Sequence, residues 1–283
     1  MMISADKQAI ANCLRDVSDR YILPRFRQLE AGEIETKSSD TDFVTIADKE
    51  AEIALTDILS NRYPDATIIG EEACAVRPAL KQQANDGLVF TIDPVDGTRN
   101  FVHQKERFCS MLALMRDGVP LASWIYLPVS DACYYAEAGA GVFVCEDRNS
   151  GFRSLISTPY QPEATSLDET RGSIGLMGLP ETRISALRPL AKEVTGRQFV
   201  GSAGIEILEI AKGQNDYMFH GRTTPWDHAP VALFAAEAGC VVGHPPASAD
   251  KSTPIAFDAC SAAPILVART PSVFTALNAF ITQ

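Results

Sequence analysis

Residues 88–98 read Leu-Val-Phe-Thr-Ile-Asp-Pro-Val-Asp-Gly-Thr and join an apolar strand pattern to a pair of acids. The apolar and β-branched run 88–92 predicts a strand that ends at Asp93-Pro94, because proline fixes φ at about −65° and helps to hold a turn. Gly97 lets the backbone approach a ligand closely. A strand end that leads into a short helix points backbone N–H groups outward, where they bind anions.

The two acids of this segment indicate a metal. Asp93 and Asp96 repel a phosphate placed at those N–H groups, and a divalent cation removes the conflict. Oxygen-rich sites of this type suit Mg²⁺. A lone Asp-Pro is more often a turn followed by a helix N-cap, but the combination of both acids with Pro94 and Gly97 favours the metal site.

Two more segments carry acids at element boundaries. Gly70-Glu71-Glu72 follows a predicted strand, although paired acids alone are typical of a solvated face. Trp226-Asp227-His228-Ala229-Pro230 lies at the start of a predicted helix, where the plain alternative for Asp227 is an N-cap. A zinc site at His228 lacks partners, since the other histidines are only His103, His220 and His244.

Hydrophobic periodicity alternates between helix and strand along the chain. Helices are predicted over about 5–21, 47–61, 182–195, 205–212, 228–238 and 273–280. Strands are predicted over 67–69, 88–92, 109–115, 122–126, 132–136, 173–177, 216–219, 240–242 and 265–268, with a loop over 30–42. Such a mixture predicts a layered α/β or α+β sandwich. The polar, turn-rich stretch 146–172 predicts two lobes, 1–148 and 149–283.

The overall charge limits the classes of partner. The 283 residues include 25 Lys and Arg against 36 Asp and Glu, for a net charge of −11. An acidic chain without a basic run is a poor partner for nucleic acid or for an anionic membrane surface. No apolar window approaches the roughly 20 residues of a membrane span, and the polar N-terminus has no signal-peptide core, so we expect a cytoplasmic protein.

The cysteines favour a reducing compartment as well. There are seven, an odd number, widely scattered and without a Cys-x-x-Cys pair. This pattern argues against both a disulfide framework and a zinc cluster. We expect the thiols to be small buried hydrophobes.

Taken together, these segments resemble the inositol monophosphatase family of metal-dependent phosphatases, within the superfamily that includes fructose-1,6-bisphosphatase. The resemblance covers nearly the whole chain, and its motifs occur in the family's order. They are Thr36-Lys37-Ser38-Ser39, Val44-Thr45-Ile46-Ala47-Asp48, Gly70-Glu71-Glu72, Asp93 to Phe101, Gly201-Ser202-Ala203 and Trp226 to Pro230. The resemblance implies a layered αβαβα sandwich in which both lobes contribute to one active site.

The resemblance also implies a role for each site residue. Two or three Mg²⁺ ions are expected on one set of ligands: Glu71, Asp93, Asp96, Asp227 and the carbonyl oxygen of Val95. The catalytic set comprises Thr98, Asp48 and Glu71, with Thr98 and Asp48 orienting and deprotonating the attacking water. Gly97 and Thr98 donate backbone N–H groups to the phosphate. Lys37 lies near the metal-bound waters, and Glu72 stands behind the ligands.

The substrate pocket departs from the family at one position. Ser202 and Ala203 match the small-residue wall of the pocket. His220 stands where inositol-specific members carry a glutamate that bonds ring hydroxyls, seven residues before Asp227. A histidine still bonds a hydroxyl but supplies no fixed negative charge. Arg99 and Arg222 favour a substrate with a second anionic group, unless they are exposed arginines paired with local acids.

The predicted function is therefore Mg²⁺-dependent hydrolysis of a small phosphorylated polyol or similar metabolite, with inositol monophosphate favoured. Histidinol phosphate, fructose 1,6-bisphosphate and a nucleotide 3′-phosphate are the alternatives within the family. An alternative of another class is a regulatory partner of the transcription machinery, as some members are. The complete set of acids favours the enzyme. By analogy with the family, we expect a homodimer.

Overall fold

The computed structural model describes residues 6–37, 43–155, 167–193, 200–245 and 263–282. Its α-helices are α1 (Asp6–Val17), α2 (Ile46–Arg62), α3 (Glu71–Val76), α4 (Thr98–Val102), α5 (Glu181–Glu193), α6 (Ala203–Ala211), α7 (Pro225–Glu237) and α8 (Pro271–Thr282). Its strands are β1 (Ile34–Thr36), β2 (Phe43–Thr45), β3 (Thr67–Gly70), β4 (Leu88–Asp96), β5 (Cys109–Arg116), β6 (Val119–Leu127), β7 (Ala132–Glu137), β8 (Gly141–Cys145), β9 (Arg153–Ser154), β10 (Gly172–Gly175), β11 (Tyr217–His220), β12 (Val241–Gly243) and β13 (Ile265–Ala268).

The larger sheet has seven strands in the order β3-β4-β5-β6-β7-β8-β9. Strands β3 and β4 are parallel, and the other neighbours are antiparallel. The register of β4 against β5 shifts between Asp93 and Asp96. Pro94 lies inside this shift, because a residue without an N–H cannot continue the ladder. At this irregularity the end of β4 departs from the regular register with β5, and Asp93 and Asp96 lie on either side of it.

The smaller sheet has the order β10-β11-β13-β12. Helices α1 and α2 pack on one face of the larger sheet, around Phe90 and Trp124. Helices α6 and α7 fill the space between the two sheets, and α8 covers the outer face of the smaller one. The layers therefore run α, β, α, β, α. This order confirms the predicted αβαβα sandwich.

Several predicted element boundaries differ from the structure. Strand β4 continues to Asp96 instead of ending at residue 92, because Asp93 and Asp96 still pair with β5. The predicted loop 30–42 contains β1, which pairs with β2. Strand β8 was not predicted. Helix α7 begins at Pro225, three residues before the predicted start at His228, because proline is favoured in the first turn of a helix.

The larger sheet reaches Ser154, which is beyond the predicted lobe boundary at residue 148. The six described cysteines are free thiols, and all but Cys13 are buried. Cys260, the end of the predicted helix 182–195, and Ser38 and Ser39 of the first motif lie outside the described residues. In the part of the chain that the structure describes, no helix has the length and apolarity that a membrane span needs.

Candidate active site

Three acids converge at the end of β4. One carboxylate oxygen from each of Glu71, Asp93 and Asp227 lies within 4.8 Å of the other two. Glu71 follows β3, which pairs in parallel with β4 and so ends beside Asp93. Asp227 comes from the first turn of α7. The topology thus brings together three of the acids that the sequence singles out.

The position of Glu71 depends on a buried glutamate that the sequence analysis missed. Glu52 is 5% exposed, and its carboxylate accepts hydrogen bonds from the backbone N–H groups of Glu72 at 2.7 Å and Ala73 at 2.8 Å. A Cβ on Gly70 would lie 2.1 Å from Cδ of Glu52, so a side chain at residue 70 would displace this carboxylate from its hydrogen bonds. Glu52 follows Asp48 by one helical turn on α2, and this i, i+4 spacing of two acids was the available signal.

Two of the three acids, Glu71 and Asp93, have raised pKa values. Burial raises the pKa of Glu71 to about 8, with Asp227 and Glu72 adding to the rise and Lys37 opposing it. Burial, followed by the charges of Glu71, Asp227 and Asp96, raises the pKa of Asp93 well above its ordinary value. Such a cluster fits a divalent cation, because the cation replaces the bound protons and removes the repulsion between the carboxylates.

Lys37 supplies a local positive charge. Its Nζ lies 2.7 Å from Oε1 of Glu71 and 2.7 Å from Oε1 of Glu72. These contacts raise the pKa of Lys37, so the lysine stays charged. The structure therefore places Lys37 and Glu72 beside the acid cluster. The charge of Lys37 also opposes the rise in the pKa of Glu71 that burial causes.

Asp96 has a different role in the structure from that of the clustered acids. Its carboxylate accepts hydrogen bonds from Oγ of Ser202 at 2.6 Å and from the N–H groups of Ala203 at 3.1 Å and Gly204 at 2.7 Å. These groups form the N-terminus of α6, which stabilises a negative charge. Burial nevertheless raises the pKa of Asp96 to about 6. Asp96 thus joins the end of β4 to α6.

Thr98 and Asp48 form a hydrogen-bonded pair. Oγ1 of Thr98 lies 3.2 Å from Oδ1 of Asp48 and 3.0 Å from the carbonyl oxygen of Val95. Oδ2 of Asp48 accepts from the N–H of Thr45 at 2.8 Å, in a capping box that begins α2. Burial raises the pKa of Asp48 to about 6. The capping box fixes the carboxylate so that one oxygen faces Thr98.

Gly97 connects β4 to α4 in the left-handed conformation, with φ at 91°. A Cβ there would lie 3.0 Å from both the carbonyl oxygen of Arg107 and Cβ of Ser202. The first hydrogen bonds of α4 run from Asn100 and Phe101 to the carbonyl of Gly97. The preceding N–H groups, of Gly97 and Thr98, are not used by the helix ladder.

A cavity of about 400 Å³ opens beside Asp96 and Asp227. Its walls include Ser202, Ala203 and His220, the residues predicted to contact substrate. The wall residues that the sequence did not single out are chiefly Ile174, Leu176, Met177 and Glu206. The cavity is thus continuous with the acid cluster at one end. Its other walls are mostly apolar.

His220 belongs to a buried polar chain. Its Nε2 lies 2.8 Å from Oε2 of Glu206, and its Nδ1 lies 2.9 Å from Nε2 of His228. The second oxygen of Glu206 accepts from Oγ of Ser173 at 2.9 Å. Burial lowers the pKa of His220, but the nearby Glu206 carboxylate more than offsets this and the net pKa is raised. Burial and His220 lower the pKa of His228 to about 3.

An αβαβα sandwich that gathers carboxylates and a Thr–Asp pair at one strand end defines the class of metal-dependent phosphatases. The model of the inositol monophosphatase family matches residues 2–270. The chain belongs to the inositol monophosphatase family, which confirms the resemblance and the predicted enzyme class.

Similar proteins support this assignment. The chain is 33% identical to the "Inositol-1-monophosphatase" of Bacillus subtilis, over 73% of this chain and 74% of that one. It is 30% identical to the "Nus factor SuhB" of Escherichia coli K12, over 78% of each chain. A solved structure described as "IMPase/NADP phosphatase complexed with Mg2+ and phosphate" has a TM-score of 0.75 and 21% identity, covering 99% of this chain and 96% of that one. This last likeness shows the fold.

Proposed function

We propose that the chain is a Mg²⁺-dependent phosphomonoesterase that hydrolyses a small phosphorylated polyol or similar metabolite. The convergence of Glu71, Asp93 and Asp227 within 4.8 Å carries this proposal. The raised pKa values of Glu71 and Asp93 indicate a cluster built for a divalent cation.

The metal would be held by Glu71, Asp93 and Asp227, with Asp96 and the carbonyl of Val95 as the remaining expected ligands. When bound, Mg²⁺ neutralises charge on the phosphate ester and lowers the pKa of a coordinated water. Lys37 holds Glu71 and Glu72 through contacts of 2.7 Å, which keeps the ligand oxygens in place. We propose two or three ions in the working enzyme.

The chain's own groups orient the reactants. Thr98 accepts a hydrogen bond from the attacking water while its hydroxyl donates to Asp48. Asp48, fixed by its capping box, receives the proton through Thr98. The N–H groups of Gly97 and Thr98 bind the phosphate oxygens. This arrangement needs the left-handed turn at Gly97.

Inositol monophosphate is the substrate that we propose first, because the Bacillus subtilis relative is named for its action on that compound. Histidinol phosphate, fructose 1,6-bisphosphate and a nucleotide 3′-phosphate are the other members of the proposed class. We also propose a cytoplasmic homodimer without nucleic-acid or membrane partners.

A second candidate function comes from the Escherichia coli relative, which is named as a Nus factor. A regulatory partner of the transcription machinery does not need catalysis. Asp96→Asn separates the two functions in a deletion strain of the source organism. Failure of the variant to complement, with normal protein levels, supports the enzyme, whereas full complementation supports the partner.

Phosphate release from an ester panel tests the proposed function. The panel holds inositol 1-phosphate, histidinol phosphate, fructose 1,6-bisphosphate and adenosine 3′,5′-bisphosphate, each with Mg²⁺ and with chelator. We expect Mg²⁺-dependent release from at least one ester. No release from any ester, together with no Mg²⁺ binding, would overturn the proposal.

A further inference from the structure

The polar side chains of the cavity are largely bonded to one another. Ser202 donates to Asp96 at 2.6 Å, and Oγ1 of Thr224 donates to Asp227 at 2.6 Å. Both ring nitrogens of His220 are engaged, by Glu206 and by His228. Whichever nitrogen of His220 carries a proton, neither is free for a substrate hydroxyl. Recognition of a polyhydroxylated ring through His220 would first have to break this chain, which is costly for buried groups.

The wall near this chain is apolar. Ile174 is buried at the end of β10, while Met177 is 71% exposed at the rim. Leu176 lies between them in sequence and also lines the cavity. Three consecutive or nearly consecutive residues thus give this part of the cavity an apolar lining.

Arg222 is the exception among the charged lining residues. Within the described ranges, its guanidinium has no hydrogen-bond or ion-pair partner. Its stem, however, is held in place: a side chain on Gly178 would begin 2.6 Å from Cβ, Cγ and Cδ of Arg222. Gly178 has a φ of 88° and leaves the space that the stem occupies. Packing thus fixes the stem at the cavity and leaves the charged end exposed to solvent.

Arg99, the other arginine that the sequence suggested for this purpose, is exposed on α4 and is not among the described residues that line the cavity. The structure therefore separates the two arginines.

We propose that the substrate carries a second anionic group, a carboxylate or a second phosphate, and that Arg222 binds it at the mouth of the cavity while the scissile phosphate lies at the acid cluster. This inference rests on the proposed phosphatase function, and within its substrate class it favours doubly anionic esters such as fructose 1,6-bisphosphate over inositol monophosphate. Arg222 presents a planar set of donors that matches either anion in a bidentate manner. In a protein with a net charge of −11, an exposed cation at the cavity that none of the described residues pairs provides local attraction for such a ligand.

Two pairs of esters isolate the second charge. 3-Phosphoglycerate carries a carboxylate where glycerol 3-phosphate carries a hydroxymethyl group. Fructose 1,6-bisphosphate and fructose 1-phosphate differ in a second phosphate. We expect the wild type to have a higher kcat/KM for the doubly anionic member of at least one pair.

The variant Arg222→Gln removes the charge and keeps much of the stem. We expect it to raise KM for the preferred doubly anionic ester about tenfold to a hundredfold, with kcat nearly unchanged, as for the loss of a charge-assisted hydrogen bond. KM for the singly anionic partner should change less than twofold. Arg116→Gln is the matched control, because Arg116 is exposed at the end of β5 that pairs with Leu88, away from Asp93.

A binding measurement accompanies the kinetics. In an Asp48→Asn background, where turnover is slowed, calorimetry should show the same loss of affinity for the doubly anionic ester on adding Arg222→Gln. Equal effects of Arg222→Gln on both members of a pair, or no preference for the second anion in the wild type, would overturn the inference while leaving the phosphatase intact. Absence of Mg²⁺-dependent release from every ester, including p-nitrophenyl phosphate, together with no Mg²⁺ binding, would instead overturn the proposed function and this inference with it.

Discussion

The hydroxyl of Thr98 lies 3.2 Å from Oδ1 of Asp48, although one residue begins α4 and the other lies in the first turn of α2. Two independent constraints produce this contact. The left-handed turn at Gly97 starts α4, and the capping box with Thr45 fixes Asp48. Both constraints belong to the fold itself and involve only residues of this chain.

The first prediction concerns this pair. Thr98→Ala removes the hydroxyl that orients the attacking water, so we expect kcat to fall roughly 100-fold or more, as for the loss of a general acid–base group. Thr98→Ser keeps the hydroxyl and should retain most of the activity. Steady-state kinetics measures kcat of both variants, and thermal denaturation serves as the folding control. Equal activity of Thr98→Ala and wild type would remove Thr98 from the mechanism.

The second prediction concerns pH and metal. Burial raises the pKa of Glu71 to about 8 in the folded protein, whereas its ordinary value is 4.5. Between these values the folded, metal-free protein binds more protons than the unfolded chain, so its free energy of unfolding falls as pH rises. Mg²⁺ replaces those protons. We therefore expect the rise in Tm caused by Mg²⁺ to grow between about pH 5 and pH 8.

Differential scanning fluorimetry with Mg²⁺ and with chelator measures how the Mg²⁺-induced rise in Tm changes with pH. Glu71→Gln, which does not titrate, should flatten it. A Tm shift that is independent of pH in the wild type would show that these acids do not exchange protons for the metal.

The third prediction concerns Gly97. A Cβ at its φ of 91° meets Arg107 and Ser202 at 3.0 Å, so Gly97→Ala should lower the free energy of unfolding by about 2 kcal/mol or more and reduce activity. Gly139→Ala is the matched control, because Gly139 has a φ of 74° and no atom within 4 Å of an added Cβ. The control should cost about 1 kcal/mol. Chemical denaturation measures the free energy of unfolding of both variants. Equal losses in the two would show that contacts of the added Cβ with Arg107 and Ser202 do not add to the cost at Gly97.

The fourth prediction concerns Glu52, which caps α3 and so positions Glu71. In Glu52→Gln an amide N–H₂ replaces one of the two accepting oxygens and faces a backbone donor. We expect weaker Mg²⁺ binding and a loss of about 1–3 kcal/mol in the free energy of unfolding. Asp57→Asn, on the exposed face of the same helix, should change neither. Unchanged Mg²⁺ affinity in Glu52→Gln, measured by calorimetry, would contradict the positioning role.

Local patterns predicted the parts of the fold that depend on local sequence. The apolar run 88–92 identified β4, which is buried on both faces. The spacing of apolar residues in 47–61 identified α2, because burial of one helix face gives a regular period. The short strands β1 and β8 were missed. Their pairing with β2 and β7 depends on partners that the segments themselves do not reveal.

The same distinction, between residues marked by local sequence and residues that depend on distant partners, applies to the site. Acids beside glycine or proline at element ends, such as Asp93 and Glu71, were found from the sequence together with the family resemblance. Glu52 and Glu206 were missed, because each acts through partners distant in sequence. His228 was considered from the sequence only as a zinc ligand, not as a partner of His220. His220 was expected to bond a hydroxyl, and only the structure shows that both its ring nitrogens are already engaged.

The most direct test of the central claim is the initial rate of phosphate release as a function of free Mg²⁺, for the wild type and for Asp93→Asn. We predict a saturable Mg²⁺ dependence in the wild type, no release with chelator, and at most a few per cent of the wild-type rate in the variant at any Mg²⁺ concentration. Release that persists with chelator, or an Asp93→Asn variant that matches the wild type, would contradict a metal site built on Glu71, Asp93 and Asp227.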